Sequence, residues 1–314
     1  MKRKEFIKMG TAGLTALGSG LNIIRPENQQ QESRKNSSDG SLKKGYMLDT
    51  FPSGDNYSVL EKFRMLKAAG FHGVEPPSGL DRSEVLEAKE ETNLEIPSIV
   101  VSTHWNNPLS SSDESVRKAG LDGLETALYD ADEFGASTIL LVPGVVNSEV
   151  SYQDVYERSQ REIRKLLPLA EELKIVIAIE NVWNQFLLSP LEAARYVDEF
   201  ESQWLGWYFD IGNIINYGWP SHWIEILGNR IEMIHIKEFS RQKRDDEGLW
   251  NGFRVNYLEG DNDWPKIMNA LQKVGYSGYG IAEPAYHPEN VPPQEFLDEY
   301  VSGRMEQMFA HYTD

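Results

Sequence analysis

The sequence of 314 residues contains no cysteine. That absence excludes disulfide bonds, thiolate zinc sites and cysteine nucleophiles. Basic residues are also fewer than acidic ones: the sequence has 31 Lys and Arg and 49 Asp and Glu, which gives a formal net charge of −18. Because so acidic a surface repels a phosphate backbone, we expect no nucleic-acid partner. The composition fits a soluble protein that acts on a neutral small molecule.

A long apolar run is lacking as well. Residues 1–26 place a mildly apolar stretch behind Lys2, Arg3, Lys4 and Lys8, but the stretch is too short and too weak to span a membrane, so we expect no stable membrane anchor. The segment resembles a twin-arginine export signal, although Lys4 stands where the second arginine belongs. The resemblance predicts a periplasmic or exported protein. A disordered tail on a cytoplasmic protein is the alternative.

A polar linker separates this leader from a single domain. Residues 27–44 are rich in Gln, Ser, Asn and Lys, a composition typical of linkers. The domain, 45–314, alternates short apolar runs with helical patterns. The apolar runs predict eight buried parallel strands, at 45–48, 71–75, 96–102, 138–142, 175–180, 206–210, 233–237 and 279–283.

Helical periodicity fills the intervals between these strands. The predicted helices lie at 58–69, 83–91, 112–134, 152–173, 190–200, 222–227, 264–274 and 293–311. A charged insertion at 241–248 is expected to form a solvated loop. Eight strand–helix units predict an α/β fold, a (β/α)8 TIM barrel, with an open doubly wound sheet as the alternative. The sequence has no glycine-rich phosphate-binding turn after its early strands, which counts against a nucleotide-binding open sheet.

Four ionisable residues end four consecutive apolar strands: Glu180, Asp210, His235 and Glu283. In a barrel these strand ends form the active-site face, so the four side chains should converge. An acidic residue after a strand is by itself usually a helix cap or a solvated loop residue. The joint pattern is different, because three carboxylates and one imidazole form an oxygen-rich set that suits a divalent cation such as Mn²⁺ or Mg²⁺.

Several longer motifs surround these positions. They are Ala-Gly-Phe-His-Gly-Val-Glu at 69–75, Ile-Glu-Asn at 179–181, Phe-Asp-Ile-Gly-Asn at 209–213, Ile-His-Ile-Lys-Glu at 234–238, Leu-Glu-Gly-Asp-Asn-Asp-Trp-Pro at 258–265 and Gly-Tyr-Ser-Gly-Tyr-Gly-Ile-Ala-Glu at 275–283. On these motifs residues 44–311 resemble the sugar phosphate isomerase/epimerase superfamily, which is built on the xylose-isomerase-like barrel. Its members include ketose 3-epimerases and hydroxypyruvate isomerase.

The resemblance implies a metal-dependent enzyme that acts on a small carbohydrate. Glu180, Asp210, His235 and Glu283 would hold one divalent ion, with Mn²⁺ expected and Mg²⁺, Co²⁺, Fe²⁺ or Zn²⁺ as alternatives. Glu180 and Glu283 would also be the catalytic acid/base pair of an isomerase or epimerase. One would remove a proton beside a keto-sugar carbonyl, and the resulting enediolate would be reprotonated from the other face. The resemblance also allows a homo-oligomer.

Departures from the ketose 3-epimerase pattern leave other functions open. Phe186 and Asn213 stand where those epimerases have a glutamate and often a histidine, whereas Arg241 matches a substrate-binding arginine. One alternative is a lyase that eliminates from a 3-keto-glycoside on the same metal site. The other is a barrel that binds carbohydrate without turnover.

Further side chains near the strand ends are expected to contact the substrate. Glu75 ends the second strand and His104 follows the third, with a supporting role for Glu75 and a loop position for His104 as alternatives. Strand alternation places Lys237 on the same side as His235, and tryptophan rings stack on sugars. The complete set of expected substrate contacts is Glu75, His104, Trp183, Asn213, Lys237 and Arg241.

Overall fold

The structure, a computed structural model, describes residues 42–312. The predicted export signal at 1–26 and nearly all of the predicted linker lie outside these residues. The described chain contains eight strands: β1 Lys43–Met47, β2 Gly73–Glu75, β3 Ser98–Val100, β4 Thr138–Leu141, β5 Val176–Glu180, β6 Leu205–Asp210, β7 Ile231–Ile236 and β8 Tyr279–Ala282. β1 therefore begins two residues inside the segment that was predicted to be linker.

The eight strands form one parallel sheet in the order β2-β1-β8-β7-β6-β5-β4-β3. The end strands β2 and β3 approach each other through two parallel bridges, Gly73 with Glu95 and Pro77 with Val100. The backbone N–H of Ser78 donates to the carbonyl oxygen of Val100 at 2.8 Å across this seam. The sheet thus curls into a nearly closed barrel. This confirms the predicted TIM barrel and excludes the open doubly wound sheet.

Helices cover the outside of the barrel. They span Val59–Ala68, Arg82–Thr92, Glu114–Phe134, Tyr152–Leu173, Pro190–Asp198, Gly212–Ile215, Pro220–Leu227, Arg241–Glu247, Trp264–Lys273, Pro293–Glu295 and Gly303–Phe309, with a π-helix at Phe296–Ser302. Short 3₁₀ turns lie at Leu48–Thr50, Gly54–Asn56, Gly228–Arg230 and Leu249–Phe253. Within residues 42–312, no helix has the length and apolar character needed to span a bilayer.

The charged insertion after β7 is helical, so the prediction of a solvated loop there is wrong. Ser240 caps the helix Arg241–Glu247, because its side-chain oxygen accepts a hydrogen bond from the backbone N–H of Lys243 at 3.3 Å. The Arg244 guanidinium donates to the backbone oxygen of Asn216 at 3.1 Å. A capped first turn and a tertiary contact therefore stabilise a segment whose composition is that of an exposed loop.

Two of the three apolar clusters in the described chain hold the barrel together. The larger one lies between the strands and the surrounding helices. A smaller one fills the barrel interior and consists of Val100, Leu140, Ala178, Tyr208, Met233, Tyr279 and Ile281. Because side chains alternate along a strand, the residue two positions after an interior residue also points inward. The last inward position of a strand then lies at the mouth of the barrel.

Candidate metal centre and active site

Strand alternation brings the four predicted metal ligands to the barrel mouth. Glu180, Asp210, His235 and Glu283 each come two residues after an interior core residue. Those core residues are Ala178, Tyr208, Met233 and Ile281, respectively. One ligand atom from each of the four side chains lies within 4.8 Å of the others. The core of the barrel therefore fixes the direction of the whole polar group.

A fifth buried carboxylate orients the histidine. His235 Nε2 lies 2.8 Å from Oε2 of Glu75, while its Nδ1 lies 3.0 Å from Oε1 of Glu180. The other oxygen of Glu75 accepts hydrogen bonds from the Tyr208 hydroxyl at 2.6 Å and the Ser98 hydroxyl at 2.5 Å. Glu75 thus holds the ring so that Nδ1 faces the other ligands. A carboxylate behind a histidine is a common support for a metal ligand.

The donor set fits a divalent cation. Oε2 of Glu283 is buried and accepts no hydrogen bond, although it lies 2.9 Å from Nδ1 of His235. Three carboxylates lie close together in a group that is almost fully shielded from water, and such a group is strongly self-repelling unless positive charge is nearby. Three oxygen donors and one nitrogen donor suit Mg²⁺ or Mn²⁺ better than a structural zinc. The group can therefore hold one metal ion.

Lys237 supplies positive charge to the same group. Its ammonium lies 3.2 Å from Oδ2 of Asp210 and 2.5 Å from Oε1 of Glu283. Burial alone would raise the pKa of Glu283, but the charges of Lys237 and His235 outweigh it and hold that pKa well below its ordinary value. Burial raises the pKa of Asp210 to about 8 and also raises the pKa of Glu180. The two glutamates expected to form an acid/base pair thus differ in proton affinity.

An asparagine that the sequence reasoning missed organises the base of the site. The side-chain oxygen of Asn181 accepts hydrogen bonds from the Asp210 backbone N–H and from the Trp207 indole, both at 3.1 Å. Its side-chain amide donates to the Asp210 backbone oxygen at 2.7 Å. The backbone N–H of Asn213 donates to Oδ1 of Asp210 at 2.9 Å. The position of Asn181 directly after Glu180 in the Ile-Glu-Asn motif was the available signal.

A cavity of about 380 Å³ opens directly onto this group. Its polar wall consists of His104, Glu180, Asn213, His235, Lys237 and Glu283. Aromatic side chains form much of the remaining wall, namely Trp105, Trp183, Trp250 and Phe253. Four of the six expected substrate contacts therefore line the cavity: His104, Trp183, Asn213 and Lys237. Their contact with a substrate stays a prediction.

Residues 63–300 match the family described as the xylose isomerase-like TIM barrel. The chain belongs to this family. An L-ribulose-5-phosphate 3-epimerase of Escherichia coli O1:K1 is 26% identical over 259 residues, which cover 76% of this chain and 86% of the relative. The same enzyme of Shigella boydii serotype 18 is 26% identical over 283 residues, covering 83% of this chain and 94% of the relative.

Solved structures share the same fold. The 3-keto-D-glucoside 4-epimerase YcjR of E. coli superposes with a TM-score of 0.70 at 19% identity, covering 86% of this chain and 99% of that one. A D-allulose 3-epimerase of Methylomonas sp. gives a TM-score of 0.67 at 18% identity, covering 87% and 98%. The relatives confirm the resemblance seen in the sequence and the enzyme class that it implies, a sugar isomerase or epimerase.

Within this xylose isomerase-like barrel, His104 is a neutral hydrogen-bond donor. Its Nδ1 accepts a hydrogen bond from the backbone N–H of Val142 at 3.3 Å. Burial lowers the pKa of His104 to about 4, so the ring is uncharged near neutral pH. Because Nδ1 is an acceptor, the single proton of the neutral ring is on Nε2. His104 can therefore donate one hydrogen bond to an oxygen in the cavity.

Two expected substrate contacts lie elsewhere. Glu75 is fully buried behind His235, so it positions the histidine and does not face the cavity. Arg241 does not line the cavity, because its guanidinium donates to the carbonyl oxygens of Ile215 at 2.9 Å and Gly218 at 3.1 Å. The helix that begins at Arg241 directs this side chain toward the segment after β6. Neither residue lines the cavity in this structure, and contact of either with a substrate stays a prediction.

Proposed function

We propose that the protein is a divalent-metal-dependent epimerase or isomerase of a keto-sugar, with Mn²⁺ as the metal. The observation that carries the proposal is the buried group of Glu180, Asp210, His235 and Glu283, which opens onto a cavity at the mouth of the barrel. Sugar epimerases among the relatives, acting on L-ribulose 5-phosphate in one case and D-allulose in another, support the reaction class.

The two glutamates are the proposed proton carriers. Both line the cavity, and both have a carboxylate oxygen within 3.0 Å of Nδ1 of His235. One carboxylate would remove a proton from the carbon beside the substrate carbonyl, and the other would return a proton to that carbon from the opposite face. A divalent ion held in this group would stabilise the negative charge that develops on the substrate oxygens.

Other residues of the chain would orient the sugar. The Lys237 ammonium, close to both Asp210 and Glu283, is placed to meet a substrate oxygen at the polar end of the cavity. The Nε2–H of His104 is available as a neutral donor on the same wall. The Trp183 indole N–H donates a hydrogen bond to the carbonyl oxygen of Asn213 at 2.9 Å, which fixes the ring where it lines the cavity.

Proton exchange with solvent tests the proposal directly. The purified protein, loaded in turn with Mn²⁺, Mg²⁺, Co²⁺, Fe²⁺ or Zn²⁺, is incubated in D₂O with a panel of ketoses, and deuterium on carbon is followed by NMR and mass spectrometry. We expect incorporation that chelation abolishes and that metal restores. His235→Ala should lose both the bound metal, measured by elemental analysis, and the exchange.

Two results would count against the proposal. Absence of exchange with every metal would remove the epimerase assignment and bring forward a barrel that binds carbohydrate without turnover. The chelated protein is checked by elemental analysis to be free of metal. Full activity of that protein would show that the buried group does not need a cation.

A further inference from the structure

One wall of the cavity is built from aromatic rings. The ring centroid of Trp183 lies 4.9 Å from that of Trp250 and 4.8 Å from that of Phe253. The ammonium of Lys237 lies 5.3 Å from the centre of the Phe253 ring. Trp250 is 67% exposed although it lines the cavity. The wall therefore extends from the carboxylate group to an indole at the surface.

A second exposed tryptophan lines the same cavity from another strand end. Trp105 is 51% exposed and packs edge-on against His104, with 5.4 Å between ring centroids. Trp105 follows β3, whereas Trp250 follows β7. Both exposed indoles therefore belong to the lining of one cavity, although they come from different strand ends.

The segment that carries Trp250 is firmly anchored. Residues 241–253, here called the β7 excursion, comprise the helix Arg241–Glu247 and the 3₁₀ turn Leu249–Phe253. The Arg241 guanidinium ties the start of the excursion to two backbone carbonyls after β6. The Ser240 backbone N–H donates to the Gly252 carbonyl at 2.7 Å, so the two ends of the excursion meet.

Close packing holds the end of the excursion against the barrel. A Cβ at Gly252 would lie 2.4 Å from ring carbons of Phe239, so only glycine allows this approach. A side chain on a braced segment loses little conformational freedom on binding, which favours a ligand that stacks on it. The excursion thus presents the Trp250 ring in a preset position.

The scarcity of cationic side chains in the cavity disfavours a phosphate group at the end of the cavity near Trp250. Within the described chain, Lys237 is the single Lys or Arg that lines the cavity, and its ammonium already faces two carboxylates. Lys243 and Arg254 lie 5.6 and 5.8 Å from the centre of the Tyr286 ring, and neither lines the cavity. A phosphate dianion needs cationic partners, whereas exposed indole faces suit a neutral ring.

We propose that the β7 excursion forms an aromatic subsite for a ring-shaped substituent of the sugar. The preferred substrate is then an unphosphorylated keto-glycoside whose second ring stacks on Trp250 at the mouth. The inference rests on the proposed function for the reaction at the polar end of the cavity. The proposed subsite gives the charged insertion after β7 a role in substrate choice. Arg241, which ties the start of the β7 excursion to the segment after β6, is then a positioning residue for that subsite.

Kinetics on matched substrates tests the subsite. The phenyl glycoside, the methyl glycoside and the 6-phosphate of one keto-sugar are compared by kcat/KM, with deuterium exchange and phenol release followed together. We expect wild type to prefer the phenyl compound over the methyl compound by about threefold to tenfold. Trp250→Ala should bring this ratio close to one through a higher KM for the phenyl compound. If phenol is released, only the part of the ratio that Trp250→Ala removes supports the subsite, because phenol is a better leaving group than methanol.

Tyr129→Ala is the control. Tyr129 is an exposed aromatic residue on the helix Glu114–Phe134 and does not line the cavity, so this variant should keep the wild-type ratio. Faster turnover of the 6-phosphate than of the phenyl compound would overturn the inference. A phenyl-to-methyl ratio of kcat/KM near one in wild type would also overturn it. In that case, proton exchange on either compound would leave the proposed function intact.

Calorimetric binding separates the two proposals if no turnover is seen. Phenyl and methyl glycosides of the unoxidised sugar are titrated into metal-loaded wild type, Trp250→Ala and Tyr129→Ala. Tighter binding of the phenyl compound that depends on Trp250 but not on Tyr129 would establish the subsite even if the proposed reaction fails. Equal binding of both compounds to all three proteins would overturn it.

Discussion

The two ends of the barrel carry the same kinds of polar side chain in very different surroundings. At the mouth, Lys237 pairs with Glu283, and their side chains are 12% and 16% exposed. At the opposite end, where the strands begin, Lys43 pairs with Glu95 at 2.8 Å, and the exposed fractions are 42% and 60%. Tyr279 adds a hydrogen bond to Glu95 at 2.8 Å. Composition alone does not distinguish these clusters; burial does.

The pKa values of the two paired glutamates are shifted in the same direction, since Lys237 and His235 hold the pKa of Glu283 below its ordinary value. The contrast between the two ends is seen at Asp210. Burial by itself would raise the pKa of Glu95, but hydrogen bonds from Lys43 and Tyr279 outweigh it and lower that pKa. At the mouth, burial raises the pKa of Asp210 to about 8, because its effect outweighs the opposing effect of the Lys237 charge. Coulomb interactions are weak where water screens them and strong where it is excluded. The buried mouth is the end at which we propose proton transfer.

The largest predicted contrast is in catalysis. Glu180→Gln and Glu283→Gln keep the shape of the side chain but remove the proton carrier and one ligand charge, so each should lower kcat about 10²- to 10⁴-fold. Glu95→Gln removes a carboxylate of the same kind from the opposite end and should keep the wild-type rate. Deuterium exchange on a ketose, measured with saturating metal, gives all three rates.

Two results would break this comparison. Wild-type exchange in either mouth variant would show that the substituted glutamate is not a proton carrier. A comparable loss in Glu95→Gln would show that the exposed end influences the reaction, contrary to its solvation.

The sequence predicts the mouth well because simple geometry governs it. Parallel strands end at one face, and alternation directs every second side chain inward, so the strand ends at Glu180, Asp210, His235 and Glu283 had to converge. β2 and β3 are shorter than predicted, since they meet at the seam through isolated bridges instead of a continuous ladder. Local pattern cannot show which strands will form the irregular seam.

The supporting residues were harder to predict because their partners are distant in sequence. Glu75 contacts His235 across 160 positions, so no local pattern shows that it lies behind the histidine and not in the cavity wall. Arg241 begins a helix whose direction depends on contacts with the carbonyl oxygens of Ile215 and Gly218. Side-chain direction outside a regular strand is set by tertiary packing, which periodicity does not describe.

A smaller contrast is expected for metal affinity. Glu75→Gln replaces the carboxylate behind His235 with an amide, which is a weaker acceptor for the Nε2–H and does not fix the ring as firmly. Loss of such a support typically lowers metal affinity about 10- to 100-fold. Metal titration of Glu75→Gln, with Glu95→Gln as the control, measures the effect. Unchanged affinity together with a raised KM would return Glu75 to the role of substrate contact that the sequence suggested.

The smallest contrast concerns stability at the exposed end. Lys43→Met removes an ion pair that water screens, so the free energy of unfolding should fall by less than about 1 kcal/mol at neutral pH. The folded-state pKa of Glu95 lies below its ordinary value of 4.5. The stabilisation from its ionised form is therefore present above that pH and is lost as pH falls through the folded-state pKa.

Urea unfolding of wild type and Lys43→Met at pH 7 and at about pH 3 measures this loss, with the difference between them expected to shrink at the lower pH. A difference that grew with acidification would mean that Lys43 acts through another group. Because Lys43 lies at the end of the barrel opposite the proposed metal ligands, its substitution should leave metal affinity unchanged. A change in metal affinity would show that the two ends are coupled through the strands.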